Sequence, residues 1–131
     1  MDMEGALRAR LTADTAVAAD VGERVYWVDR PQGKPLPDIT LQTISGARDQ
    51  HMQGFQATQR ARVQVDVRAA TFATARRLRE AVIAALAPRT TINGITFDRA
   101  FIPNRADTTE PASTGIIHRH RIDFLITYRP A

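Results

Sequence analysis

The chain changes from one hydrophobic period to another near its middle. Between Ala61 and Ala69, valine occupies every second position and alternates with Gln64, Asp66 and Arg68. From residue 71 to residue 86, the apolar residues instead recur every three or four positions. A period of two is typical of a strand with one buried face, and a period near 3.6 is typical of an amphipathic helix. The pattern therefore predicts a strand that leads directly into a helix.

The N-terminal part of the chain predicts two helical segments followed by two strands. Apolar residues recur every four positions from Met3 to Leu11, as they do on one side of a helix. A second helical segment is expected from Asp14 to Val21, with the aspartate as its cap and Gly22 as its end. Residues 24–28 and 39–44 are rich in β-formers and predict strands on either side of a proline-rich loop.

The C-terminal part predicts a tight turn and a long closing strand. Asn93-Gly94 is a typical turn pair and leads into a strand over residues 95–101. The last strand is expected over residues 116–128, and its apolar face consists of Ile122, Phe124, Ile126 and Tyr128. The order of elements predicts one α+β domain over residues 1–131, in which two main helices pack on one face of a mostly antiparallel β-sheet.

Two segments, residues 45–60 and residues 103–114, show neither period and are expected to be irregular loops. Long irregular segments in a compact domain are more often functional than merely connective, so both are candidate contact surfaces. The candidate interface residues are Arg48, Asp49, His51 and Phe55 in the first segment and Arg105, Asp107 and Glu110 in the second.

The amino-acid composition excludes several kinds of catalytic and metal-binding chemistry. The chain has no cysteine, which excludes disulfides, thiolate catalysis and cysteine-based metal sites. The net charge is +4, and Lys34 is the only lysine among 18 basic residues. No apolar run approaches the roughly 20 residues of a membrane span, and the N-terminus does not resemble a signal peptide. We therefore expect a soluble protein that has no membrane partner.

Catalytic and metal-binding patterns are weak. His118 and His120 lie two residues apart on one strand face and would need a third ligand to hold a metal, so exposure beyond the core or at an interface is the expected alternative. Asp66 and Asp123 could form a carboxylate pair, but no nucleophile elbow, phosphate loop or metalloprotease motif accompanies them. The sequence predicts no enzyme activity, no cofactor and no metal site.

The arginines leave a binding role open. Arg76, Arg77 and Arg79 are expected to cluster on the outer face of the second main helix, where they would be solvated or would bind phosphates or a partner's carboxylates. A small nucleic-acid-binding module is therefore one possible function. It is disfavoured because the basic residues form no stripe and the strands carry no pair of aromatic residues for base stacking.

Several sequence segments of the chain, taken in order, resemble the tail-completion, or tail-terminator, family of long-tailed bacteriophages and related gene transfer agents. They are Val21-Gly22-Glu23-Arg24-Val25-Tyr26, Pro37-Asp38-Ile39-Thr40-Leu41, His51, Arg62-Val63-Gln64-Val65-Asp66-Val67, the helix from Ala75 to Leu86, and His120-Arg121-Ile122-Asp123-Phe124-Leu125-Ile126-Thr127-Tyr128.

The resemblance implies an α+β subunit of the virion that is assembled in the host cytoplasm and located at the tail–neck junction. Such a subunit forms a ring with copies of itself, typically a hexamer, on the head-proximal end of the tail tube. The ring ends tube growth, and its partners are the major tail tube protein and the neck or stopper protein. DNA passes through it without sequence-specific contact. A neck stopper or adaptor protein on the portal side is the alternative within virion assembly.

Overall fold

The computed structural model describes residues 2–51, 54–113 and 115–130, and of residues 48–51 and 54–56 it describes only the backbone. Helices occupy α1 (Met3–Ala13), α2 (Thr15–Val21) and α3 (Phe72–Leu86). Strands occupy β1 (Val25–Trp27), β2 (Asp38–His51), β3 (Gly54–Ala69), β4 (Thr90–Ile92), β5 (Ile95–Phe97), β6 (Phe101–Ala112) and β7 (Gly115–Pro130).

One seven-stranded sheet forms in the order β1-β2-β3-β7-β5-β4. Strand β6 pairs with the same edge of β7 as β5 does, but at a different position along β7. Strands β1 and β2 are parallel, whereas the other described strand pairs are antiparallel. The predicted α+β class is therefore confirmed, and the sheet is mixed because β1 adds one parallel pair at its edge.

The helices cover one face of the sheet and enclose the core. Val63 and Val65 of β3 pair with Phe124 and Ile122 of β7, and all of these side chains are fully buried. The main helical side chains in the same cluster are Leu7, Leu11, Val17, Val21, Leu78, Val82 and Leu86. Because apolar burial stabilises by about 25 cal/mol per Å2, this layer supplies the main driving force for folding.

The helix boundaries follow from capping chemistry. The Asp14 side chain accepts a hydrogen bond from the Val17 amide at 3.1 Å, and Gly22 ends α2 with a φ of 58°. The prediction for this segment is confirmed. Thr71 caps α3 in the same way, accepting from the Thr74 amide at 3.2 Å.

The two segments predicted to be irregular are strands. Residues 45–51 and 54–60 belong to the distal part of the β2–β3 hairpin, and residues 104–112 lie in β6 and pair with β7. Neither segment contributes a side chain to the described apolar core, so neither needs the alternation of apolar residues that marks a half-buried strand. Backbone pairing and ion pairs such as that of Asp107 with Arg79 hold these strands in place, which is why the hydrophobic pattern does not reveal them.

Candidate assembly surfaces

Two hairpins extend from opposite ends of the sheet. Strand β3 pairs with β7 from Gln59↔Tyr128 to Ala69↔His118. The β2–β3 arm (residues 44–58) continues past the C-terminal end of β7, and its hairpin closes between His51 and Gly54. The β6–β7 arm (residues 110–117) continues past the other end of β3, whereas residues 104–109 of β6 pair with the part of β7 that also pairs with β3. The sheet therefore has a staggered outline with one arm at each end.

Neither arm contributes a side chain to the described apolar core. Side chains at residues 44–47 are exposed, and so are those at residues 111–113, 115 and 116. Because side chains of a strand alternate between its two faces, consecutive exposed residues mean that both faces of each strand meet solvent. An isolated two-stranded hairpin is marginally stable in water. The arms are therefore suited to binding a partner rather than to holding this fold together.

The first group of predicted interface residues lies on the β2–β3 arm. Arg48 pairs with Gln59 in the backbone register, His51 lies at the hairpin end, and Phe55 pairs with Gln50. Asp49 coincides with a shift of register between Arg48 and Gln50, which is typical of a β-bulge. The side chains of these four predicted residues lie outside what the structure describes.

The second group lies on β6, and two of its members contact the rest of the domain. Arg68 donates a hydrogen bond to Glu110 at 2.6 Å, and Arg119 lies 3.6 Å from the same carboxylate. Asp107 approaches His120 at 3.7 Å, whereas Arg105 is exposed beside Ile122 in the register. Glu110 therefore has an internal electrostatic role, whatever it contacts in an assembly.

Ion pairs cover the sheet face that the helices leave open. Arg62 of β3 donates to Asp123 of β7 at 2.7 Å. Arg119 of β7 forms an ion pair with Asp66, and Arg121 lies 3.9 Å from the same carboxylate. Because basic and acidic residues alternate across adjacent strands, their charges neutralise one another locally. This face lacks the basic stripe expected of a nucleic-acid-binding surface.

Asp38 is a fully buried carboxylate at the start of β2. Burial raises its pKa above the ordinary aspartate value, and the hydrogen bond and charge of Arg30 oppose that increase. One oxygen of Asp38 pairs with the Arg30 guanidinium, which anchors the proline-rich segment to the sheet.

The predictions for Arg79 and His120 are wrong: both side chains are buried, with 5% and 1% exposure. The Arg79 guanidinium lies 3.1 Å from Nδ1 of His120, and Phe72 packs edge-on against the imidazole. Burial lowers the pKa of His120, Asp107 opposes this change and Arg79 adds to it. The ring is therefore neutral at pH 7 and accepts a hydrogen bond from Arg79.

An apolar groove interrupts the charged face beside the β2–β3 arm. Phe101 and Leu125 are register partners and remain 66% and 43% exposed. Together with Ala47 and neighbouring strand residues, they line an open groove of about 440 Å3. Leu125 is visible in the sequence as an apolar residue on the polar face of its strand, but Phe101 is not, because its pairing with β7 was not predicted.

Among the described side chains, those of residues 2–47, 57–113 and 115–130, no three from histidine, aspartate or glutamate converge as a metal site. Within the same ranges, no helix is long and apolar enough to cross a membrane.

Comparison with known proteins identifies the family. The family model described as "Tail completion protein gp17" matches residues 5–129. No curated protein matches the chain. A chain in the solved structure "Virion of native gene transfer agent (GTA) particle" is 21% identical and has a TM-score of 0.73, over 97% of this chain and 94% of that chain. At this level of identity, the likeness shows a shared fold. Because the family model extends from α1 to the end of β7, this chain belongs to the tail completion protein gp17 family.

Proposed function

We propose that copies of this chain form a ring that caps the head-proximal end of a tail tube, ends tube growth and joins the tail to the neck. Family membership over residues 5–129 is the observation that carries the proposal. Members of this family are structural proteins of the virion tail, so the chain is a tail structural protein rather than a member of an enzyme class. The likeness to a chain of a gene transfer agent virion supports a place in the assembled particle.

The shape of the subunit supports a role in a closed ring. A ring is built from heterologous contacts, so each subunit must present two different surfaces that complement each other. The arms lie at opposite ends of the sheet and on different strands, and they provide two such surfaces. The predicted residues Arg48, Asp49, His51 and Phe55, and Arg105, Asp107 and Glu110, are proposed to contact neighbouring copies, the tube protein or the neck protein. DNA would pass through the ring without sequence-specific contact.

Electron microscopy of particles made without this chain tests the proposal. Loss of a tail terminator leaves overlong tube polymers and unattached filled heads, and supplying the wild-type chain in trans should restore tails of uniform length. Tails of normal length beside leaking heads would instead indicate a neck stopper or adaptor. Salt-sensitive binding of DNA in a gel shift at about 50 mM salt would indicate a nucleic-acid-binding module. The paired charges of the open sheet face argue against that last outcome.

A further inference from the structure

Strand β6 leaves a long edge of the sheet open. It pairs with β7 on one side, and the described part of the chain provides no strand for its other side. Its side chains from Phe101 to Thr109 are exposed. An uncovered edge presents a row of backbone donors and acceptors to which another strand can pair.

Proline shows which backbone groups face that open edge. Pro111 has no N–H, so it is compatible with the β6–β7 ladder only if its nitrogen points away from β7. Alternate residues of a strand point their N–H and C=O groups the same way. The backbone groups of Arg105, Asp107 and Thr109 therefore face the open edge. The stretch of β6 whose backbone N–H groups face the open edge lies between Pro103 and Pro111.

A second open edge lies on the opposite side of the sheet. Strand β1 pairs only with Ile39, Thr40 and Leu41 of β2. From Gln42 to His51, β2 pairs with β3 alone among the described strands. The side chains from Gln42 to Ala47 are exposed as well. Each subunit therefore carries two different open edges, which is what a head-to-tail contact requires.

We propose that the open edge of β6 in one copy pairs, antiparallel, with the open edge of β2 in the next copy, so that the sheet continues from subunit to subunit. This inference depends on the self-assembly in the proposed function. Because β2, β3, β7 and β6 alternate in direction, β2 and β6 run in opposite senses. A neighbour related by rotation about an axis close to the strand direction therefore presents β2 antiparallel to β6.

The staggered outline of the sheet fits this contact. At equal height, β6 lies opposite the part of β2 that β1 covers. In a closed ring the strands must therefore tilt from the ring axis, because tilt offsets neighbouring copies along the strand direction and so brings the two open edges together. Closing a sheet on itself requires such a tilt and stagger of its strands. Exposed apolar side chains lie on the same two strands: of the seven large ones in the described residues, Ile44 lies on β2, and Phe101 and Ile102 lie on β6.

Cysteine crosslinking tests the pairing, because the natural chain contains no cysteine. Ala106→Cys is combined with a cysteine scan of residues 42–47 in the same chain, and assembled tails are oxidised and run on a non-reducing gel. We expect one scan position to give a ladder of crosslinked subunits. A position two residues later along β2 should then crosslink to Asn104→Cys, because numbering runs in opposite directions in an antiparallel pair.

Control variants distinguish the proposed contact between β6 and β2 from other contacts between copies. Ala84→Cys on the exposed side of α3, combined with Ala106→Cys, should give no ladder. Crosslinking by Ala106→Cys alone would indicate that two β6 strands meet, and would overturn the proposal. Assembled tails in which no scan position crosslinks to β6 would also overturn it while leaving ring formation intact. Absence of any assembly by the wild-type chain would instead contradict the proposed function.

A backbone variant provides an independent test. Thr109→Pro removes one N–H that faces the open edge and leaves the ladder to β7 in place, so we expect loss of assembly with a melting temperature within about 3 °C of the wild type. Thr109→Ala keeps the N–H and should assemble normally. Normal assembly by Thr109→Pro, or equal loss in Thr109→Ala, would contradict backbone pairing at this edge.

Discussion

Deleting residues 47–56 tests whether the β2–β3 arm serves assembly rather than folding. The deletion joins Gly46 to Ala57 and keeps the register pair Gly46↔Ala61, so residues 57–60 form a connection of ordinary hairpin length in which Gln59 and Arg60 can still pair with β7. The pairs that carry the core side chains of β2 and β3 lie on the retained side. None of the described core side chains is removed.

The expected effect on stability follows from what is lost. Because the deletion removes no described buried apolar area, the transfer contribution of about 25 cal/mol per Å2 changes little. Changing the length of the connection between the two strands alters its closure free energy by about 0.6 kcal/mol for each twofold change in length. We therefore expect the free energy of unfolding to change by no more than about 1 kcal/mol, which is small beside the 5–15 kcal/mol typical of a domain.

Urea denaturation followed by circular dichroism measures the stability, and light scattering in the presence of tail tubes measures assembly. The deletion variant should unfold near the wild-type midpoint and fail to assemble. Val65→Asp, which places a carboxylate in the core, is the control that should not fold. A loss of more than about 3 kcal/mol on deletion would show that the arm belongs to the folding core. Wild-type assembly by the deletion variant would refute the assigned role of the arm.

Three further predictions concern the core, the buried histidine and the arms. Phe124→Ala should lower the free energy of unfolding by about 3–5 kcal/mol in urea titrations, whereas Leu125→Ala, on the opposite face, should cost much less. Burial lowers the pKa of His120, so as the pH falls the unfolded chain binds a proton at a higher pH than the folded chain does. The free energy of unfolding should therefore decrease as the pH drops below about 6.5. His120→Asn should make the free energy of unfolding less dependent on pH in this range. An unchanged slope in that variant would assign the dependence to another group. In hydrogen exchange, amides of both arms should exchange faster than those of the central β3–β7 ladder in the free subunit and slow on assembly; protection already present before assembly would contradict this.

The covered half of the domain was predictable from the sequence, whereas the open half was not. Valines at alternate positions of β3 and the apolar row of β7 reveal strands because one face is buried and the other is not. Residues 45–47 and 103–109 lack that contrast because both faces meet solvent, so their strands are invisible to a hydrophobic pattern. Arg79 was misplaced for a related reason: it lies on the buried stripe of α3, between Ala75 and Val82, but its charge suggests exposure. Its position in the helical repeat was the available signal.

The division between a covered and an open half has an energetic consequence for assembly. Fixing each backbone residue costs about 1–2 kcal/mol in conformational entropy, and in the covered half the buried side chains offset that cost. The exposed residues of the two arms and of β6 gain little burial within the subunit, so their order rests on strand pairing and a few ion pairs. Pairing between copies would add hydrogen bonds and cover apolar side chains at those same residues. Strands that are only marginally stable in one subunit would thus become stable in the assembly. The stability of the open edges would then depend on how many neighbouring copies are bound.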